Sequence, residues 1–128
     1  FGPVTVLRHG LRMPSGLTMR YPGLRRLDTG YVYVGGRGGR QLQKIYGGSL
    51  TENVVQSLAR DVIAHQMTKL PFPIATCTHD EIVAVVPAND GPAALKTMLE
   101  VMRTPPEWAT GLPLNAEGGL GETYASAK

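Results

Sequence analysis

Cysteine is almost missing from this chain. Cys77 stands alone, which excludes an internal disulfide and fits a reducing compartment. Aromatic residues are scarce, at 6%, so a core has to be built mainly from aliphatic side chains. No apolar run reaches the about 18 residues that a membrane-crossing helix needs. No charged segment leads into an apolar one as a signal peptide requires. Acids are scarce in one half only. Residues 1–48 hold eight cations (Arg8, Arg12, Arg20, Arg25, Arg26, Arg37, Arg40 and Lys44) against Asp28 alone, a net charge of +7. The remaining residues hold five cations against nine acids, a net of −4. Seven of the eight N-terminal cations are arginine, whose planar fork suits phosphate. An anionic polymer partner and a solvated basic surface are both compatible with this imbalance.

The chain has 128 residues, of which 42% are hydrophobic. That length fits one domain or one large subdomain. Glycine and proline together number 26, so tight turns and irregular connections are expected. The first residue is Phe1 rather than Met, which sets the expectation of a fragment, a processed product or an engineered piece. No internal repeat and no linker stand out, so residues 1–128 are read as a single unit.

Residues 1–48 read as a basic antiparallel meander. Residues 4–13 are rich in β-formers and read as one strand. Pro14-Ser15-Gly16 is a turn, residues 17–21 a return strand, and Pro22-Gly23 a break. Tyr31-Val32-Tyr33-Val34 is a short strand, residues 35–39 a glycine-rich turn, and residues 40–46 the return. Such hairpins are marginal alone and lean on something larger. Residues 49–70 carry the clearest helix. Ser49 with Glu52 three positions on forms a capping-box signature. Leu50, Val54, Val55, Leu58, Val62, Ile63 and Met67 recur at three- and four-residue steps, while Asn53, Gln56 and Arg60 share a separate polar stripe. Pro71 and Pro73 end the helix. Residues 73–87 form two β-branched runs around Thr78-His79-Asp80-Glu81, a hairpin with charges at its tip, and the second run predicts burial on both faces. Residues 89–128 hold a shorter helix, capped by Asn89 or Asp90 and reaching about Arg103, then a glycine-rich tail with a last strand near residues 122–124.

Two adjacent carboxylates at a hairpin tip repel each other, and a divalent cation relieves that repulsion. Mg²⁺ takes oxygen ligands, usually one or two carboxylates with substrate phosphates and water. Two such ions about 3.5–4 Å apart stabilise the attacking and leaving oxygens of phosphoryl transfer. Asp80 and Glu81 could serve such a site. An ordinary polar turn explains the same dipeptide, since Asp is at home in turns. His79 could donate to a phosphate, sugar or base, or simply occupy the turn. His9 and His65 lack the spacing of zinc ligands. Cys77, with no base motif nearby, reads as a small core residue. Gly35-Gly36-Arg37-Gly38-Gly39-Arg40 is similar to an RNA-binding RGG stretch, and it is no Walker loop.

Thr78-His79-Asp80-Glu81-Ile82-Val83, followed by Val85-Val86-Pro87, resembles motif C of family A (polymerase I-like) DNA polymerases. The stretch from Tyr46-Gly47-Gly48-Ser49 through Thr51-Glu52-Asn53 to Arg60-Asp61 resembles the helix before motif C in phage or prophage members. Pro106-Glu107-Trp108-Ala109-Thr110-Gly111-Leu112-Pro113-Leu114 with Ala116-Glu117-Gly118 resembles their C-terminal end, and Pro14-Ser15-Gly16 with Tyr21-Pro22 a segment before the helix. Four pieces in register cover most of the chain. The resemblance implies an α+β fold of antiparallel hairpins with one long and one shorter helix, as part of a polymerase palm. It implies Asp80 as a metal ligand, Glu81 as its auxiliary neighbour, and His79 as a contact to the primer terminus. It also implies Gln56 as a primer–template contact, with Asn53 and Arg60 on the same stripe. Arg37 and Arg40 are basic candidates for nucleic-acid phosphates. Thr78 replaces the usual apolar residue.

The motif A aspartate and the fingers helix of such enzymes have no counterpart here, since none of Asp28, Asp61 or Asp90 has the required context. Mg²⁺ binding therefore calls on a carboxylate from outside the chain, and the chain alone is expected to be inactive. The expected partners are a DNA primer–template and the missing N-terminal part of the polymerase. No membrane is involved, and the expected location is a bacterial host cytoplasm. An exposed sheet edge would promote self-association. A non-catalytic nucleic-acid-binding remnant is the alternative, and a structural α+β domain without a ligand is the third reading.

Overall fold

The computed structural model describes residues 2–36 and 38–127. The fold is α+β, with three small antiparallel sheets and two α-helices. The chain divides into two compact units, Phe1–Asp61 and Val62–Lys128.

In the first unit, β1 (Thr5–Leu7), β2 (Gly10–Arg12) and β3 (Thr18–Arg20) form one sheet in sequential order. The single strand expected over 4–13 is two strands. Leu7 pairs with Gly10, leaving Arg8 and His9 as a two-residue turn. Gly10 sits where β2 and β3 approach closely, and a Cβ there would overlap the backbone of Met19 and Arg20. A second sheet follows from β4 (Arg25–Leu27), β5 (Gly30–Gly35) and β6 (Gln41–Ile45). Leu27 pairs with Gly30 across another two-residue turn, Asp28-Thr29. Each meander thus has a two-residue turn, then a longer connection, over 13–17 in the first and between β5 and β6 in the second. Both two-residue turns are flanked by the same pair, leucine before and glycine after.

The buried residues of this unit are Val4, Met13, Tyr21, Val32, Ile45 and Asp61. The Tyr21 ring meets Tyr33 edge-on, with centroids 5.1 Å apart. Asp61 is 4% exposed. Its carboxylate accepts the Ser15 backbone N–H at 3.0 Å and the Ser15 hydroxyl at 2.8 Å. A buried charge left unpaired is costly, and here both oxygens are engaged by the turn between β2 and β3.

The long helix α1 (Gly47–Lys69) begins earlier than the sequence suggested. Ser49 does not cap it from outside. Its hydroxyl accepts the Tyr46 backbone N–H at 3.1 Å and bonds the Tyr46 carbonyl oxygen at 3.0 Å, reaching back from inside the first turn. Glu52 accepts from Gln56 instead, at 3.2 Å. Val62 is buried, whereas Val55, expected on the apolar stripe, is 59% exposed.

In the second unit, β7 (Ile74–Thr78) and β8 (Glu81–Ala84) form the expected hairpin. Ile82 is buried, but Val85 is 73% exposed, so burial on both faces does not extend along that run. Cys77 is exposed rather than in the core. The helix α2 (Gly91–Arg103) has Asp90 at its N-cap without a side-chain bond, and Pro92 in its first turn. Gln66, 2% exposed, donates to the Met102 carbonyl oxygen at 2.8 Å. The tail is irregular. The strand expected near 122–124 is a turn, closed by hydrogen bonds between Thr123 and Ser126. No helix among the described residues is long and apolar enough to cross a membrane.

Two stability predictions follow from these contacts. Asp61→Ala leaves two Ser15 donors without their acceptor and is expected to cost about 1–3 kcal/mol. Ser15→Ala keeps the backbone bond and is expected to cost less; urea denaturation monitored by circular dichroism compares the two. His79 has φ 55° at the first turn position of the β7–β8 hairpin, a region that costs an L-residue about 1–2 kcal/mol. His79→Gly should therefore fold at least as stably as the parent. His79→Val should be less stable by about 1–2 kcal/mol, since a β-branched residue is a genuine outlier there.

Candidate metal-binding hairpin and nucleic-acid interface

Thr78 pairs with Glu81, so only His79 and Asp80 turn the chain. A two-residue hairpin loop favours positive φ at its first position, because that handedness suits the twist of the strands. Among the described residues other than glycine, His79 alone adopts it. His is one of the few such residues enriched in this region. The backbone at His79 fixes where the next side chain starts, and Asp80 is exposed at the tip.

Glu81 behaves differently from its neighbour. It is half-buried at the start of β8. Its Oε2 accepts the Tyr124 hydroxyl proton at 2.8 Å. The two carboxylates thus stand in unlike settings, one open to solvent and one held by the tail. Sequence reasoning did not find Tyr124, which lies 43 positions away, and its only sequence signal is a lone aromatic in a glycine-rich tail. Among the described residues no group of three His, Cys, Asp or Glu side chains could hold a metal ion. Asp80 and Glu81 nevertheless fit what Mg²⁺ asks of a protein, since one or two carboxylates suffice where substrate phosphates and water complete the shell.

Below the tip lies an open, mostly apolar groove of about 1270 Å³. Ile82, Val83, Leu95, Met98, Leu99 and Leu120 line it. The helix face predicted for Leu95, Met98, Leu99 and Met102 therefore looks into this groove and is only half-buried.

The polar stripe of α1 belongs to the first unit. Asn53, Gln56 and Arg60 are all exposed, as expected. Asn53 is not free, because its amide donates to the Tyr21 hydroxyl at 3.2 Å. Gln56 donates to Glu52, one turn back. Arg60 and Arg40 are exposed, and no ion pair or side-chain hydrogen bond holds either among the described residues. Arg37 lies outside the described residues. The hairpin candidates His79, Asp80 and Glu81 belong to the second unit and come together at one strand end.

No family model matches the chain, and no solved structure matches it. The chain is 39% identical over 82 residues to a DNA polymerase of Bacillus phage SP02. The match takes in 62% of this chain and 12% of the phage polymerase. The chain is therefore related to a phage DNA polymerase and spans about an eighth of the length of that relative.

Proposed function

We propose that the chain is the C-terminal palm segment of a family A DNA polymerase of phage type, carrying motif C on the β7–β8 hairpin. The observation that carries this reading is the exposed Asp80 at a two-residue tip, next to Glu81. The relationship to a phage DNA polymerase supports it.

In this reading Asp80 is the metal ligand, since its carboxylate stands clear of protein partners at the strand end. Glu81 is the auxiliary carboxylate, held in place by Tyr124. His79 offers a ring N–H to the primer end. Gln56, Asn53, Arg60, Arg37 and Arg40 contact the primer–template. Asn53 keeps its carbonyl oxygen for that task while its amide holds Tyr21. Mg²⁺ bound at Asp80 and a second carboxylate from outside the chain would activate the primer hydroxyl and neutralise charge on the transferred phosphoryl group. The whole enzyme would act in a bacterial host cytoplasm. The free cations of the first unit favour a second reading, a remnant that binds nucleic acid without chemistry.

The isolated chain is expected to show no primer extension, because one of two carboxylates and the nucleotide-binding fingers are lacking. Extension by the pure chain would contradict that. Placing the chain in the SP02 polymerase, in exchange for the homologous segment, is the direct test of the reading. Extension should be restored there and should depend on Mg²⁺. Asp80→Asn should lower it by about a hundredfold or more, the scale of losing a group that stabilises the transition state, and Glu81→Gln by less. Equal activity of Asp80→Asn and the unmutated chimera would sink the reading.

A further inference from the structure

One face of the first sheet carries arginines that no ion pair engages among the described residues. Residues 2–27 contain no Asp or Glu. The register sets Thr5, Arg12 and Thr18 in one row across the three strands, and Leu7, Gly10 and Arg20 in the next. Arg12 and Arg20 are therefore diagonal neighbours on one face, about 7–8 Å apart at their Cα atoms. Thr5, Arg12, Thr18 and Arg20 are all exposed, and so is Arg8 at the adjoining turn. Among the described residues none of these arginines takes part in an ion pair or a side-chain hydrogen bond. By contrast, Lys96 in the second unit does approach a carboxylate, Glu100 at 4.0 Å. Two guanidiniums at diagonal spacing repel each other, so the face gains when an anion spans them.

The chemistry of the face selects the form of that anion. It offers guanidinium forks and hydroxyls, which bind phosphate. It offers no aromatic ring, and proteins that grip single strands stack bases on such rings. The face is also held firmly to α1. Asp61 takes the two Ser15 donors from the loop between β2 and β3, and Asn53 donates to Tyr21 just after β3. The sheet is thereby fixed to the helix that carries Gln56 and Arg60.

We propose that the Arg12 and Arg20 face of the β1–β3 sheet is a docking surface for the sugar–phosphate backbone of duplex DNA, read without regard to sequence. Each arginine takes one phosphate, and the Thr5 and Thr18 hydroxyls flank them. The choice of DNA over another polyanion rests on the polymerase reading, while the phosphate chemistry rests on the sheet.

The test is fluorescence anisotropy of the full chain with a labelled mixed-sequence duplex, in the presence of a chelator, across a salt series. The chain should bind at low salt. Arg12→Ala with Arg20→Ala should lower the steepness of log affinity against log salt by about two, one phosphate for each arginine. Between about 50 and 200 mM salt the parent should lose roughly tenfold more affinity than the alanine pair. Arg12→Lys with Arg20→Lys should keep most of the slope, which shows that a loss in the alanine pair is not misfolding. Lys69→Ala with Lys96→Ala should leave binding unchanged. An unaltered slope in the alanine pair, tighter binding of a single strand or an RNA helix, or no duplex binding by the parent would overturn the proposal. The assay uses neither metal nor Asp80, so such a failure leaves the hairpin reading to its own test.

Discussion

Two residues are all that connect β7 to β8, and that brevity governs the candidate site. A chain reversed in so short a span cannot spread its side chains freely. Its first position, His79, turns left-handed at some cost, unlike Arg8 and Asp28 at the same place in the two other two-residue turns. Its second position, Asp80, then stands at the end of the strand with water around it. Glu81 has already re-entered the ladder, where it pairs with Thr78 and meets Tyr124. The inequality of the two acids is a consequence of turn geometry.

A second constraint acts in the first unit. Short strands of three residues bury little, and Val6 in β1 is 68% exposed. What holds them is a small set of buried groups and two polar ties to α1. The Asp61 carboxylate is one tie, and the Asn53–Tyr21 bond is the other. Because the carboxylate faces the Ser15 donors, it is unavailable to compensate any arginine of the meanders. Among the described residues no ion pair engages these arginines, and Asp28 is the one acid within residues 1–48.

Local signals were the legible part of this fold. The antiparallel hairpins, the long helix ending before Pro71 and the shorter helix ending at Arg103 all follow from periodicity, proline and β-branching. The charged tip was visible because four polar residues interrupt two apolar runs. What sequence could not show depends on distance along the chain. Asp61 and Ser15 are 46 positions apart, and nothing local marks Asp61 as buried. Gly10 lies inside the span read as one strand, though it is the point where β2 can lie close to β3. The capping signal at Ser49 and Glu52 pointed to the right turn of helix but misassigned the partners, because the chain entering from β6 reaches helical geometry two residues sooner. Val55 fell on the right period yet faces solvent, since periodicity counts residues and not what lies opposite them.

The proposed role of the β7–β8 turn is to present the Asp80 carboxylate to a divalent cation. The most direct measurement is a Mn²⁺ titration of the isotopically labelled chain, followed by paramagnetic broadening of backbone amides. The amides of His79, Asp80 and Glu81 should broaden first, ahead of those near Asp28, Asp90 and Glu100, and Asp80→Asn should remove this order. Broadening that begins at another acid, or that ignores the substitution, would contradict it.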